Sequence, residues 1–65
     1  MLRFKDVKTK LSVCTDIYVN FEYKCKVGTI IAQDNRVFDS YYVWYIGLLQ
    51  DNYLIVDLKK PEKES

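Results

Sequence analysis

From Ile17 to Val27 the apolar residues Ile17, Val19, Phe21, Tyr23, Cys25 and Val27 alternate without a break with Tyr18, Asn20, Glu22, Lys24 and Lys26. A period of two marks a strand with one buried and one solvated face, so the chain must build a sheet. Strands most often run about five to six residues. This longer stretch is therefore expected to be either a hairpin turning near Asn20 to Tyr23 or one long bent strand. Gly28 is expected to end or bulge the element before Thr29 to Ala32 continues it.

On the N-terminal side, Phe4, Val7 and Leu11 fall at the spacing of one helical face, which predicts a short helix over about residues 4–12. After the strand region, Asp34 or Asn35 could cap a second short helix through Val37, Phe38 and Tyr41, with an irregular loop as the alternative. The runs Tyr42 to Leu49 and Tyr53 to Leu58 are rich in β-branched and aromatic residues and flank Gln50, Asp51 and Asn52. They predict a C-terminal hairpin. Residues 1–59 then make a single small α+β domain in α-β-β-α-β-β order. It is expected to have an antiparallel sheet of about four strands, with one or two short helices packed on one face. Residues 60–65, polar around Pro61, are expected to form a disordered tail.

The hairpin is the most informative part. With Asp51-Asn52 as its turn, Leu49 pairs with Leu54, Leu48 with Ile55, Gly47 with Val56 and Ile46 with Asp57. One face then carries Val43, Tyr45, Leu49, Leu54, Val56 and Leu58, and the other Trp44, Ile46, Leu48, Tyr53 and Ile55. Both are apolar, whereas an antiparallel sheet in a small monomer normally solvates one face. Two short helices cover only one side. The sequence therefore predicts a partner or dimer interface at Trp44, Ile46, Leu48, Tyr53 and Ile55, unless the sheet curls into a small barrel that hides both sets. Asp57, inside this apolar run, reads as an edge-strand charge that blunts aggregation.

Several function classes are disfavoured. The chain has no histidine, the commonest proton-transfer residue, and its carboxylates are scattered, so no enzyme activity and no catalytic residue is expected. Cys14 and Cys25 are too few and too far apart for a zinc site, and Gly28 and Gly47 belong to no phosphate-binding motif. No metal, cofactor or small-molecule substrate is expected. The two thiols read as reduced, in a cytoplasmic setting. Arg3, Lys5 and Asp6 stand where the core of a signal peptide would lie, and the longest apolar run, Tyr41 to Leu49, is far shorter than the roughly 20 residues of a spanning helix. A soluble protein off the membrane is expected.

Ten Lys and Arg against nine Asp and Glu leave a net charge of +1, which provides no field to draw in a polyanion. Nucleic-acid binding is accordingly the alternative reading. It would use a basic, tyrosine-containing sheet face at Tyr18, Lys24 and Lys26.

With "FKDVKTKL", "TDIYVNFEY", "KVGTI" and "DNYLIVDL" as landmarks, the chain resembles, from Arg3 to Lys59, the short uncharacterised proteins of phages and prophages of Gram-positive bacteria. It departs from them in the tyrosine-rich segment Tyr41, Tyr42 and Tyr45. The resemblance implies a compact α+β domain, a bacterial or phage cytoplasmic setting and an accessory role. Together with the doubly apolar hairpin, which predicts a homodimer, a host-protein partner or both, the expectation is a protein-interaction module that binds and inhibits a host or defence protein.

Overall fold

A computed structural model of the chain describes residues 2–48 and 53–61. Within them the elements run α1 (Phe4–Val7), a 3₁₀ turn (Lys8–Lys10), β1 (Asp16–Val19), β2 (Glu22–Lys26), α2 (Val27–Ala32), β3 (Tyr42–Leu48) and β4 (Leu54–Lys59). This is the α+β class and element order that the sequence predicts. The four strands form one sheet in the order β2-β1-β4-β3. Its two hairpins are antiparallel, but β1 and β4 run parallel, from Asp16 beside Ile55 to Val19 beside Leu58. The sheet is therefore mixed and not purely antiparallel. Alternation fixes the face each residue takes and says nothing about which strand lies beside it, and the long excursion through β2, α2 and β3 supplies the crossover that a parallel pair needs.

α1 buries Phe4 completely, with Val7 and Leu11 packed against the same core, on the face that the helical spacing predicts. It is shorter than the predicted span, since the chain tightens at Lys8–Lys10 and is already extended at Leu11 (φ −91°, ψ 155°). Phe4 N–H donates to Tyr41 C=O at 2.8 Å and Val43 N–H to Leu2 C=O at 2.9 Å, which lays this N-terminal segment along the start of β3.

The alternating stretch is a hairpin. Asn20 and Phe21 both have positive φ, 53° and 62°, between the paired residues Val19 and Glu22. Positive φ at both central residues is the two-residue turn whose twist matches the flanking strands. A bulge between Ile17 and Tyr18 sets Tyr18 opposite Tyr23.

The structure then departs from the sequence reading twice. Val27–Ala32 is a helix, not a continuation of the strand, and it buries Val27 and Ile30. Its N-terminal residue Lys26 offers no side-chain cap; the first donors, Val27 N–H and Gly28 N–H, go instead to Thr15 C=O at 2.9 Å and Val13 C=O at 3.0 Å. Asp34 and Asn35 close this helix and do not open another. Asp34 takes a φ of 51°, and the two N–H groups return to Ile31 C=O and Ile30 C=O at 3.1 and 2.9 Å, the hydrogen-bond pair of a left-handed helix C-terminus. The predicted helix through Val37, Phe38 and Tyr41 is a run of turns. There Val37 N–H donates to Asn35 Oδ1 at 2.9 Å, and Tyr41 N–H to Phe38 C=O at 3.0 Å.

The C-terminal hairpin is shifted by one residue from its predicted register. Leu48 pairs with Leu54, Gly47 with Ile55, Ile46 with Val56 and Tyr45 with Asp57, and a bulge then leaves Val43 opposite Leu58. The Asp51-Asn52 turn lies outside the described residues, as does the predicted tail from residue 62 onward.

The core gathers Phe4, Ile17, Val27, Ile30, Val56 and Leu58 between the sheet and both helices. β4, paired on both sides, buries Val56, Asp57 and Leu58 in succession. Asp57 is thus a fully buried residue of an inner strand and not an edge charge. Among the described residues no helix is long and apolar enough to cross a membrane.

Candidate functional site

Ile17, Val56 and Leu58 face the helices, so the residues that alternate with them, Asp16, Tyr18, Ile55 and Asp57, face the other way. No element among the described residues covers that second face. On it stand Phe21, Tyr23, Trp44 and Tyr45, with exposures of 58%, 50%, 45% and 45%. Two irregularities put Phe21, Trp44 and Tyr45 there. The bulge at Val43/Tyr45 gives β3 one extra residue, so Trp44 and Tyr45 emerge on the same side where strict alternation would separate them. The tight turn at Asn20-Phe21 delivers the Phe21 ring onto them.

Asp57 organises the cluster. Its buried carboxylate accepts Phe21 N–H through Oδ1 at 2.6 Å and the Trp44 indole N–H through Oδ2 at 2.6 Å. A carboxylate in an apolar sheet is tolerated when its oxygens are satisfied in this way. The same two bonds fix the positions of both rings. Phe21 meets Trp44 edge-on at 5.2 Å and 76°, and Tyr45 at 5.8 Å and 61°. Lys59 Nζ lies 5.2 Å from the Trp44 ring centroid, and the Arg3 guanidinium 5.1 Å from that of Tyr42. Nearby, Tyr18 and Tyr23 pack edge-to-face at 5.6 Å and 74°.

At the far end of this face, Asp16, Lys26 and Tyr53 form a polar clasp. Lys26 Nζ donates to Asp16 Oδ1 at 2.8 Å and to the Tyr53 hydroxyl at 2.9 Å, and the Tyr53 hydroxyl donates to Asp16 Oδ2. Partial burial pushes the Asp16 carboxyl up, but the hydrogen bonds from Lys26 and Tyr53 outweigh it and hold the group below its ordinary range. The Asp16 bond raises Lys26 and Tyr53 above theirs.

The structure divides the predicted interface. Trp44 and Ile55 lie on the open face, whereas Ile46 and Leu48 pair with Val56 and Leu54 and share the helix-side parity. The single face of Trp44, Ile46, Leu48, Tyr53 and Ile55 does not exist, because the one-residue shift and the bulge reassign its members. Tyr53 is held within the protomer by the clasp. Of the residues in the nucleic-acid reading, Tyr18 is on the open face, Lys26 is neutralised by Asp16, and Lys24 sits 3.9 Å from Glu22. The sequence reading missed Phe21 and Tyr45 as site residues, and Asp57 as their anchor. A lone carboxylate inside an apolar strand was the available signal for Asp57.

Cys14 is exposed, Cys25 is half-buried, and both are free. Burial raises the Cys25 thiol above its ordinary range, which makes it a poorer nucleophile. Among the described residues no three His, Cys, Asp or Glu side chains gather as a metal ion would require. No protein-family model matches the chain, and neither the curated proteins nor the solved structures give a match.

Proposed function

We infer that this chain is a non-enzymatic protein-interaction module whose docking surface is the open sheet face centred on Phe21, Trp44 and Tyr45, with Tyr18 and Tyr23 beside them. The observation that carries this reading is the buried Asp57 carboxylate, which holds the Phe21 backbone and the Trp44 indole together while leaving about half of each ring in water. Pre-positioned, half-exposed Trp and Tyr side chains are what binding hot spots are made of, because little side-chain freedom remains to be lost on docking. The free thiols Cys14 and Cys25 fit a reducing, cytoplasmic setting. The resemblance to phage and prophage proteins supplies the finer proposal, that the partner is a bacterial host or defence protein which the module inhibits.

Single-stranded nucleic acid is the less favoured occupant. Base stacking needs open ring faces and free cations along a groove. Here Lys59 and Arg3 already lie over Trp44 and Tyr42, and Phe21 and Tyr23 turn edges and faces toward their neighbours.

The test uses the full chain as immobilised bait in a lysate of its own host, beside a Tyr23→Ala/Tyr45→Ala double variant and a Val37→Ala control on the loop before β3. Neither tyrosine takes part in the Asp57 bonds. The expected result is a protein captured by the wild type and the control but depleted at least about tenfold by the double variant, as losing hot-spot rings implies. Equal capture by all three baits rules out the open face. Retention of an oligonucleotide that falls steeply with salt favours the nucleic-acid reading instead.

A further inference from the structure

We propose that the free edge of β3 pairs antiparallel with β3 of a second copy of this chain, about a two-fold axis at Gly47. The inference is independent of what occupies the aromatic face. Leu58 C=O accepts Asn20 N–H at 3.2 Å, so Leu58 turns its peptide groups toward β1. By alternation along β4, Val56 and Leu54 do the same. Their partners on β3, namely Val43, Ile46 and Leu48, therefore turn theirs away from β4, toward the sheet edge. Val43 N–H is taken by Leu2 C=O at 2.9 Å. By the same parity the β3–β4 ladder leaves the backbone groups of Ile46 and Leu48 unused, and no turn, loop or cap bond among the described residues takes them.

An open edge is a template for another strand, and folded proteins usually protect it with charge, proline or a bulge. The opposite edge, β2, is protected: it carries Glu22, Lys24 and Lys26, and Lys24 is the extra residue of a bulge opposite Ile17 and Tyr18. On β3 the bulge and the Leu2–Phe4 segment guard only the first half. From Tyr45 to Leu48 the edge has no charged residue, and Ile46 and Leu48 are 49% and 66% exposed.

Three features select a second copy as the occupant. Pairing centred on Gly47 sets Ile46 opposite Leu48 of the second copy, and the reverse, so the outward N–H and C=O groups of both residues are satisfied reciprocally. The same register joins the two exposed side chains as apolar cross-strand pairs on the helix side of the sheet. It also puts Gly47 opposite Gly47 in the closely spaced, non-hydrogen-bonded pair. There the missing side chain leaves room for the Tyr45 ring, since a Cβ on Gly47 would stand 3.0 Å from Tyr45 Cε2. The uncharged strand, finally, brings no like charges together across the axis. The product is a continuous eight-stranded sheet whose two aromatic faces lie on the same side.

Sedimentation equilibrium of the full chain from about 1 µM to about 1 mM tests the pairing, alongside Ile46→Pro and Leu48→Lys. Proline at Ile46 removes an N–H that the monomer does not use, so the folded protomer survives. Leu48→Lys leaves the backbone intact and supplies the missing edge charge. The expected result is a wild-type dimer, at least about tenfold weaker association in each variant, and intermolecular contacts between the Ile46 and Leu48 methyl groups in a mixed-isotope NMR sample. A wild type that stays monomeric overturns the proposal. So does a dimer that persists in both variants but is lost in Tyr45→Lys, a result that would place the second copy on the aromatic face.

Discussion

Phe21 occupies the left-handed region at φ 62°, a conformation that costs a bulky residue roughly 1–2 kcal/mol per position. Its N–H bond to Asp57 and its edge contacts with Trp44 and Tyr45 are what offset that cost. Asp57 therefore serves as both acceptor and anchor. Asp57→Asn keeps the shape but has one carbonyl oxygen for two donors, so its amide N–H must confront either Phe21 N–H or the Trp44 indole. A donor left unsatisfied in a buried site costs about 1–3 kcal/mol. The expected outcome is a lower denaturation midpoint with a shifted Trp44 emission, and wild-type values for both would show that the carboxylate does not anchor the rings. Thr15 is the converse case. Its hydroxyl is buried with no hydrogen-bond partner among the described residues, so Thr15→Val removes a polar atom that contributes nothing. Equal or higher stability, by up to about 1 kcal/mol, is expected from chemical denaturation. A clear loss would mean that the hydroxyl has a partner.

Among the elements, α2 shows how local rules yield to distant contacts. Gly28 lies in its first turn, where replacing glycine by alanine ordinarily stabilises a helix by about 1 kcal/mol. Here an added Cβ would stand 3.0 Å from both Val13 Cβ and Val13 C=O. The carbonyl is itself held by Gly28 N–H and cannot retreat without breaking that bond. Gly28→Ala is expected to destabilise the protein by about 1–3 kcal/mol, the usual range for overpacking. A rise in melting temperature would show that the Val13 loop gives way freely. The same contacts explain what the sequence could convey. The buried face of α1 and the parity of β1 were legible, because Phe4, Val7 and Leu11, or Ile17 and Val19, report a local period. α2 was not, since its first donors are capped by Thr15 and Val13 from an earlier loop, and nothing in Val27–Ala32 records that. The β3–β4 register was hidden because alternation fixes the face of each residue and not its cross-strand partner, and the bulge at Trp44 shifts the pairing once more. Asp57 could be seen as odd in the sequence. Its function depends on the parallel β1–β4 seam, which brings the Asn20-Phe21 turn alongside it.

At the scale of the whole molecule, that seam joins the two hairpins, and the clasp of Asp16, Lys26 and Tyr53 closes it at one end by tying β1, β2 and the start of β4 together. The clasp gives stability a pH dependence on both sides. Asp16 titrates below its ordinary 3.8 in the folded state, so its contribution is present above that value and is lost as the pH falls through the depressed pKa. Tyr53 and Lys26 titrate above their ordinary 10.0 and 10.5. Their contribution is complete below those values and is lost as the pH rises through the raised pKa values, when Tyr53 stops donating to Asp16 and becomes a second anion beside it. The informative quantity is the difference between the wild type and Asp16→Asn, in which contributions common to both proteins cancel. Denaturation midpoints measured against pH should give a difference that is constant between about pH 4 and about pH 10 and shrinks on both sides of that window. Tyr53→Phe should remove part of the alkaline decline and, because it takes away one of the bonds that depress Asp16, move the acid decline toward higher pH. A difference that stays flat across the whole range would mean that the three groups do not titrate as one unit, and that the seam is held by its backbone ladder and the core beneath it.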